Sequence, residues 1–184
     1  MTQTTAPALP SGTLTFLFTD IEGSTKLVQD LGAEAYGEVL ERHRELLRQA
    51  WDAHGGLEIG TEGDSFFVVF TSAPAAVAAA VEAQRALAAT EFPHGVGTIR
   101  VRMGLHTGLG MVSGGTYVGA DVNRAARVAA AANGGQVVLS SATLPLLAGA
   151  LPPGVRTRDV GEHRLKDLRP ERLSILEIDG VVDP

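Results

Sequence analysis

Short hydrophobic runs containing β-branched and aromatic residues alternate along this chain with longer helix-favouring runs. TLTFLFT, residues 13–19, ends at Asp20, and SFFVVF, residues 65–70, directly follows Asp64. Both runs have the length and composition of buried strands. Between them, apolar residues recur at steps of three and four over residues 34–54, which predicts a helix. Because no low-complexity linker or fixed-period repeat interrupts the alternation, we expect one α/β or α+β layered domain.

The same patterns predict the remaining elements. Residues 1–12, MTQTTAPALPSG, are rich in Thr, Pro and Gly and predict a flexible lead, so we assign the domain to residues 13–184. The further predicted strands cover residues 57–59, 99–107, 136–139 and, approximately, 155–160 and 173–178. The further predicted helices run from Pro74 to about residue 90, over residues 118–132 and from residue 140 to about 147.

The chain of 184 residues contains no cysteine. This excludes a disulfide framework, a cysteine-ligated zinc or iron–sulfur site and a cysteine nucleophile. The formal net charge of −6 argues against a broadly basic surface of the kind that binds nucleic acid. A small anionic ligand would therefore need a local site.

The longest weakly polar stretch, residues 73–89, is mostly alanine but includes Pro74, Glu82, Gln84 and Arg85. It lacks the roughly 20 consecutive apolar residues of a membrane span, so it predicts a buried helix. The N-terminus has no cationic segment ahead of an apolar one and so lacks the pattern of a secretory signal. We expect a cytoplasmic protein with no membrane span in this chain.

Two aspartates, Asp20 and Asp64, stand at strand ends and close to glycines. Adjacent strand ends of one sheet could bring the two carboxylates together, and a hard divalent cation prefers a few carboxylates combined with substrate phosphate oxygens. The pattern is therefore compatible with a metal site. It is equally compatible with Asp20 capping the next helix and Asp64 serving as a turn residue.

Residues 21–25, IEGST, follow the first of these aspartates. Gly23 permits close approach of a ligand, Ser24 and Thr25 supply hydroxyls, and the start of a helix supplies backbone amides. Unsatisfied amides and the positive end of the helix dipole suit a polyphosphate. An ordinary capped helix would have the same sequence, but the glycine and the neighbouring metal candidate favour phosphate.

Asn123 and Arg127 lie four residues apart in the predicted helix over residues 118–132, so they share one helix face. Directed at one ligand, they could stabilise negative charge that develops on a phosphoryl group, the arginine by bidentate donation. The competing interpretation is a solvated helix face on which Arg124 and Arg127 are ordinary surface charges.

Other catalytic patterns are absent from the sequence. Ser24 lacks the GxSxG context of a nucleophile elbow, which disfavours a Ser/His hydrolase. The five histidines are scattered singly without metal-binding spacing, and we interpret each as a packing or surface residue: His43, His54, His94, His106 and His163.

Four motifs that carry the candidate residues occur in order along the chain. They are FTDIEGST at residues 18–25, TEGDSF at 61–66, RMGLHTG at 102–108 and GADVNRAAR at 119–127. Together they resemble the catalytic domain of class III nucleotidyl cyclases, most closely the bacterial adenylyl cyclases that include mycobacterial members. GGQVVLS at 134–140 and HRLKDL at 163–168 are similar to later segments of that family.

The resemblance implies an α+β fold with a ferredoxin-like, palm-like βαββαβ core and additional C-terminal strands and a helix. It also implies a head-to-tail homodimer with two active sites in the cleft between the chains. Asp20 and Asp64 match the two metal aspartates of the family, which would hold two Mg²⁺ or Mn²⁺ ions. Ile21 would add a backbone carbonyl.

The resemblance also assigns roles to residues of the partner chain. Asn123 would orient the ribose, Arg127 would contact phosphate in the transition state, and Lys166 matches a lysine that binds the triphosphate. The 3′ hydroxyl would attack the α-phosphate in line, releasing pyrophosphate and a 3′,5′-cyclic nucleotide. This reaction needs mainly positioning and charge neutralisation from the protein.

Base selection departs from the family pattern. Adenylyl cyclases of this family usually have a lysine four residues before the second metal aspartate and an aspartate seven residues before the asparagine, where this chain has Gly60 and Thr116. Glycine has no side-chain donor or acceptor, whereas threonine can do either. If residues 57–61 form a strand, Glu58 shares a face with Gly60 and its carboxylate could accept from guanine N1 and N2. By analogy with similar bacterial domains we expect ATP, with guanylyl or dual specificity as the alternative.

Two other function classes compete with a cyclase. A phosphatase of the haloacid dehalogenase type would use a strand-end aspartate followed two residues later by an acid, which Asp20, Glu22 and Ser24 fit loosely. Those enzymes have aspartate where Glu22 stands and a later acidic pair that this chain lacks. A non-catalytic nucleotide-binding dimerisation module is favoured by the missing purine-reading pair and disfavoured by the presence of both aspartates and of Asn123 with Arg127.

Overall fold

One mixed sheet runs through the protein and carries helices on both faces. The computed structural model describes residues 8–181, so residues 1–7 of the predicted lead and residues 182–184 of the predicted domain lie outside the described residues. The strands are β1 (Gly12–Ile21), β2 (Leu57–Glu62), β3 (Ser65–Phe70), β4 (Val101–Ser113), β5 (Thr116–Val118), β6 (Val137–Ser140), β7 (Val155–His163) and β8 (Glu171–Ile178). The helices are α1 (Ser24–Leu31), α2 (Ala33–Ala53), α3 (Ala73–Ala88) and α4 (Ala120–Ala130).

The sheet has the strand order β2-β3-β1-β4-β6-β8-β7, and β5 pairs with the end of β4. Strand β1 pairs antiparallel with β3 and with β4, whereas β4 pairs parallel with β6. Helices α1 and α2 connect β1 to β2, and α3 connects β3 to β4, which gives the expected βαββαβ core. Strands β6, β7 and β8 extend the sheet beyond β4. The predicted α+β class is therefore confirmed.

The hydrophobic core lies on both faces of the sheet because side chains alternate along each strand. Leu17 of β1 belongs to the larger cluster, which α2 and α3 cover and which contains the fully buried Trp51. Phe16 belongs to a smaller cluster on the opposite face, together with Ala125 of α4. By the same alternation, Asp20 lies on the face that α4 covers.

The alanine-rich helix α3 is a core helix, as predicted. It begins after Ser72, whose side chain accepts a hydrogen bond from the Ala75 amide, and it has Pro74 in its first turn. Most of its alanine and valine side chains are buried. Within residues 8–181, no helix combines the length and the apolar character that crossing a membrane requires.

Helix α4 packs closely against β4 because two glycines face it. A Cβ atom at Gly104 would lie 2.2 Å from the backbone nitrogen of Ala129. A Cβ atom at Gly108 would lie 2.2 Å from Cγ of Asp121, in the first turn of α4. A Cβ atom at Gly104 would push the helix backbone away from the sheet, and one at Gly108 would displace the Asp121 side chain, so both glycines permit the close packing of α4 on β4.

Several predicted boundaries differ from the structure. Strand β4 continues from residue 107 to Ser113, because its glycine-rich segment stays paired first with β1 and then with β5. The helix predicted over residues 118–132 is shorter, Ala120–Ala130, and begins after Gly119. Helices α1 and α2 are separate because Gly32, with a φ of 80°, interrupts the helical backbone.

The prediction of a helix from residue 140 to about 147 is wrong. Ser140 is the last residue of β6, and only a 3-10 turn, Leu144–Leu147, follows. The hydroxyls of Ser140 and Thr143 are both buried in a hydrogen-bonded network, which favours a local turn over a helix. Pro145, at the start of that turn, also has no backbone N–H to donate.

Candidate active site

The end of β1 and the turn between β2 and β3 bring two aspartates together. Phe66 of β3 lies opposite Thr19 of β1, so the turn that precedes β3 lies beside the end of β1. There the Ile21 amide donates a hydrogen bond of 2.7 Å to Oδ2 of Asp64. Asp20, Ile21 and Asp64, the three residues assigned to metal binding, thus form one cluster, which we call the carboxylate edge.

An arginine that the sequence analysis did not single out belongs to the same edge. Arg102 lies directly opposite Asp20 in the ladder between β1 and β4. Its Nε and Nη2 atoms donate to the two carboxylate oxygens of Asp20 at 2.6 and 3.0 Å. The RMGLHTG motif contains Arg102, but its partner depends on strand register, which no local pattern in the sequence reveals.

Neither aspartate acts as a simple local cap. The N-cap of α1 is Gly23, with a φ of 71°, and no side chain caps that helix. Asp20 instead pairs with Arg102 on the neighbouring strand, and Asp64 accepts from Ile21 on another strand. Both carboxylates are therefore held by long-range contacts at one edge of the sheet.

The carboxylate edge fits a cation that is completed by its substrate. Within residues 8–181, no group of three or more His, Cys, Asp or Glu side chains could hold a metal ion. Mg²⁺ commonly uses one or two carboxylates, water and substrate phosphates, and Asp20 with Asp64 meets that requirement. Arg102 donates to both oxygens of Asp20, so a cation bound there would compete with the guanidinium for this carboxylate.

The predicted phosphate segment directly follows this edge. Ser24 and Thr25 begin α1, and its first amides have no side-chain cap. Amides of this kind, together with the helix dipole, attract anions. Glu22 does not compete for them, because its Oε1 accepts a hydrogen bond of 3.0 Å from the amide of Gly134.

Helix α4 directs Asn123 and Arg127 away from the core. Asn123 is exposed, and the Arg127 side chain is 40% exposed. The intervening Arg124 is not a free surface charge, because it donates to the buried Glu171 of β8 at 2.5 Å. Arg124 therefore anchors α4 to the sheet, whereas Asn123 and Arg127 point toward solvent.

A buried histidine holds the first turn of α4. His106 of β4 is 3% exposed, its Nε2 lies 2.8 Å from Oδ1 of Asp121, and its Nδ1 lies 2.7 Å from Oγ of Ser140. The other oxygen of Asp121 accepts from the Leu109 amide at 2.9 Å. Burial alone would raise the pKa of Asp121, but the hydrogen bonds from His106 and Leu109 outweigh it and lower that pKa. These contacts fix the helix that carries Asn123.

The loop between β7 and β8 brings Lys166 to the same region. Lys166 is exposed, and its neighbour Asp167 forms an ion pair of 3.7 Å with Arg127 of α4. The three cationic and polar residues that the resemblance assigned to ribose and phosphate therefore lie on α4 and the adjacent loop. No described hydrogen bond or ion pair joins them to the carboxylate edge.

Gly60 and Thr116 line one cavity of about 260 Å³. Its apolar wall includes Phe18 and Phe67, whose rings stack with centroids 4.4 Å apart and an interplanar angle of 7°. A Cβ atom at Gly60 would meet nothing within 4 Å, so the space at that position is open. Flat apolar walls with a few polar groups suit an aromatic ligand. We call this cavity the base pocket.

The predicted placement of Glu58 in this pocket is wrong. A bulge between Glu58 and Gly60 shifts the strand register, so that Glu58 lies opposite Val68 and Gly60 lies opposite Phe67. Val68 and Phe67 face opposite sides of the sheet, so Glu58 and Gly60 do as well. Glu58 accepts from Nε and Nη2 of Arg48 at 2.9 and 3.0 Å, and these hydrogen bonds lower the pKa of its carboxyl.

The residues that the resemblance assigned to the base, the ribose and the phosphates are together called the nucleotide face: Gly60, Thr116, Asn123, Arg127 and Lys166.

Comparison with known proteins places the chain in one family. A model of the adenylate and guanylate cyclase catalytic domain matches residues 7–176. An uncharacterized protein of Mycobacterium tuberculosis is 41% identical over 165 residues, which cover 88% of this chain and 55% of that protein. The chain thus spans about half the length of this relative.

More distant relatives have named activities. An adenylate cyclase of Lachancea kluyveri is 33% identical over 158 residues, which cover 73% of this chain and 8% of that protein. A solved structure of a Trypanosoma brucei adenylate cyclase in its monomeric state is 26% identical with a TM-score of 0.79, covering 93% of this chain and 92% of that chain. The chain therefore belongs to the adenylate and guanylate cyclase catalytic domain family, the class III nucleotidyl cyclases.

Proposed function

We propose that the chain is the catalytic domain of an adenylyl cyclase that converts ATP to 3′,5′-cyclic AMP and pyrophosphate. The observation that carries this proposal is the carboxylate edge, where the Ile21 amide holds Asp64 beside Asp20. Family membership supplies the reaction type, and the arrangement of the carboxylates supplies the means to bind a metal–triphosphate complex.

Asp20, Asp64 and the Ile21 carbonyl would hold two Mg²⁺ or Mn²⁺ ions. Bound cations would supply charge neutralisation on the triphosphate and favour ionisation of the 3′ hydroxyl. The chain's own groups then position the substrate: the amides of Gly23, Ser24 and Thr25 receive phosphate oxygens at the start of α1. Arg102, next to these groups, donates to phosphate once it leaves Asp20.

The residues of the nucleotide face complete the substrate contacts. The amide of Asn123 orients the ribose, so that the 3′ oxygen approaches the α-phosphorus in line with the departing pyrophosphate. Arg127 donates to the α-phosphate as negative charge develops on it, and Lys166 neutralises the triphosphate. The ion pair between Arg127 and Asp167 is long and exposed, so a phosphate can displace it at little cost.

The active unit is proposed to be a head-to-tail homodimer, with the carboxylate edge of one chain facing the nucleotide face of the other. Two observations support it. No described hydrogen bond or ion pair links the two groups within one chain. The hairpin of β4 and β5 also exposes four large apolar side chains, which a second copy would cover: Leu109, Met111, Val112 and Val118.

The dimer is tested by complementation. Asp20→Ala removes the carboxylate edge and Arg127→Ala removes the nucleotide face, so each variant is expected to be inactive alone. In an equimolar mixture that exchanges subunits, half of the dimers are mixed and each has one intact site, so about a quarter of wild-type activity should return. Proven exchange without any return of activity would contradict shared sites.

ATP is the proposed substrate because the adenylate cyclase of Lachancea kluyveri aligns with most of this chain. The stacked pair of Phe18 and Phe67 would pack against the purine. Thr116 can donate to adenine N1 or accept from the N6 amino group, whereas Gly60 contributes no side-chain contact. A pocket with so few fixed polar groups discriminates weakly, so we expect ATP to be preferred over GTP by roughly 10- to 100-fold.

Product analysis tests the proposed function directly. Purified protein is incubated with Mn²⁺ and with ATP or GTP offered separately, and the nucleotide products are separated and identified. Cyclic AMP with equimolar pyrophosphate is the expected main product. Release of inorganic phosphate alone would indicate a phosphatase, and nucleotide binding without turnover would indicate a non-catalytic module.

A further inference from the structure

A second glutamate, Glu62, lies on the base-pocket side of β2. Gly60 is opposite Phe67 and Glu62 is opposite Ser65, so Glu62 follows Gly60 on the same side of the strand. Gly60, Glu62, Ser65 and Phe67 all line the base pocket. The bulge that removes Glu58 from this pocket therefore leaves Glu62 as the carboxylate that lines it.

The Glu62 carboxylate is available to a ligand. It is exposed, and within residues 8–181 it forms no hydrogen bond or ion pair. Glu58, four residues earlier on the other side of the strand, is instead held by Arg48 and by the Thr61 hydroxyl. A Cβ atom at Gly60 would meet nothing within 4 Å, and Gly60, Glu62 and the aromatic wall line the same cavity, so there is room for a base edge beside Glu62.

The two purines present different hydrogen-bonding edges to a carboxylate. Guanine has two adjacent donors, N1–H and the N2 amino group, which match the two oxygens of one carboxylate. Adenine has one donor, the N6 amino group, and next to it the N1 acceptor, which repels a carboxylate oxygen. A bidentate hydrogen bond to a charged group is among the strongest polar contacts available.

We propose that Glu62 binds the Watson–Crick edge of guanine and thereby makes GTP a second substrate of this site. Thr116, which lines the same pocket, can donate its hydroxyl hydrogen to guanine O6. The inference rests on the proposed cyclase function. In this pocket, which otherwise has few polar groups, Glu62 favours guanine and so limits the preference of the site for ATP.

The experiment compares Glu62→Gln with the matched control Glu58→Gln. Glutamine keeps the size of the side chain but can accept only one of the two guanine donors. The kcat/KM values are measured for ATP, GTP and inosine triphosphate, which lacks the N2 amino group. Glu62→Gln is expected to lower the ratio of GTP to ATP by roughly 10- to 100-fold, the effect of losing a charge-assisted hydrogen bond. It should also reduce the preference of the wild type for GTP over inosine triphosphate.

Glu58→Gln is expected to leave both ratios within about threefold of wild type, because Glu58 is on the other side of β2. The proposal is overturned if Glu62→Gln leaves the GTP-to-ATP ratio unchanged, or if Glu58→Gln produces the shift. If wild type forms no cyclic nucleotide, the proposed function fails separately. The same ratios are then measured as dissociation constants, by displacement of a fluorescent nucleotide by GTP, inosine triphosphate or ATP.

Discussion

At the carboxylate edge the candidate side chains already have partners within one chain, whereas on the nucleotide face most of them have none among residues 8–181. Asp20 is bound by Arg102 and Asp64 by the Ile21 amide. Asn123 and Lys166 are exposed and, within the described residues, form no side-chain hydrogen bond. The first group is arranged before substrate binds. The second is positioned by its helix and loop, and under the proposed function its partners are the substrate and a second copy of the chain.

The supports of the two regions differ as well. The carboxylate edge depends on strand pairing, since β1 lies in the middle of the sheet between β3 and β4. The nucleotide face depends on α4, which is fixed to the sheet through His106 and Glu171. Substitutions at the first region should therefore abolish chemistry with the fold intact, whereas substitutions beneath the second should move α4 and cost stability.

The largest expected effect is the loss of either carboxylate. Asp20→Ala or Asp64→Ala should lower kcat/KM by on the order of a thousandfold, because metal-ion catalysis contributes several kcal/mol to transition-state stabilisation. The measurement is steady-state kinetics with Mn²⁺, together with circular dichroism to show that the fold is retained. Asp30→Ala is the matched control, because Asp30 is exposed and its carboxylate pairs with Lys26 of its own helix. Wild-type rates in Asp20→Ala would contradict the metal assignment.

Beneath the carboxylate edge, the buried His43 predicts a pH dependence of stability. His43 is fully buried against Phe66, and burial lowers its pKa from 6.5 to about 4. Asp64 opposes this shift, whereas Arg44 and Arg48 reinforce it. On acidification the histidine of the unfolded chain binds a proton at a higher pH than the buried His43 does, which favours unfolding. The stability that neutral His43 contributes is therefore complete above about pH 6.5. This stability is lost as the pH falls toward 4, by up to about 3 kcal/mol.

The measurement is urea unfolding of wild type and His43→Leu between pH 4 and 7. Leucine has no titratable group and a similar volume, so the variant should lose less stability than wild type on acidification. The decrease in the free energy of unfolding that both proteins show on acidification comes from the carboxylates. The additional decrease in wild type comes from His43. Parallel curves for the two proteins would contradict a buried neutral histidine.

Beneath the nucleotide face, His106 should contribute somewhat less to the free energy of unfolding than His43 does. His106→Leu removes one hydrogen-bond partner from Asp121 and one from the buried Ser140, so we expect the free energy of unfolding to fall by about 2 kcal/mol. His163→Leu is the control, because His163 is exposed and its ring hydrogen-bonds the backbone carbonyl of Val160. Urea unfolding of both variants is the measurement. Equal losses would show that His106 does not anchor α4.

The two regions also differ in how far the sequence alone predicted them. The strands next to Asp20 and Asp64 were predictable because short hydrophobic runs with strong strand propensity lie beside these two residues. The pairing of Asp20 with Arg102 was not, because register depends on contacts 82 residues apart. Glu58 was placed on the wrong side of β2 because one extra residue in a bulge reverses the alternation that the prediction assumed.

The smallest expected effect is a gain of selectivity in the base pocket, and it tests whether the nucleotide face is as adaptable as its lack of fixed contacts implies. Gly60→Lys with Thr116→Asp adds a donor for adenine N1 and an acceptor for the N6 amino group. The space at Gly60 is open, so the lysine can be accommodated. It would also pair with Glu62 on the same side of β2 and withdraw that carboxylate from guanine.

We expect the ATP-to-GTP ratio of kcat/KM to rise by about tenfold, with each single variant as a control. An unchanged ratio would mean that contacts outside Gly60 and Thr116 already fix the choice of base, and the nucleotide face would then be as strongly determined as the carboxylate edge.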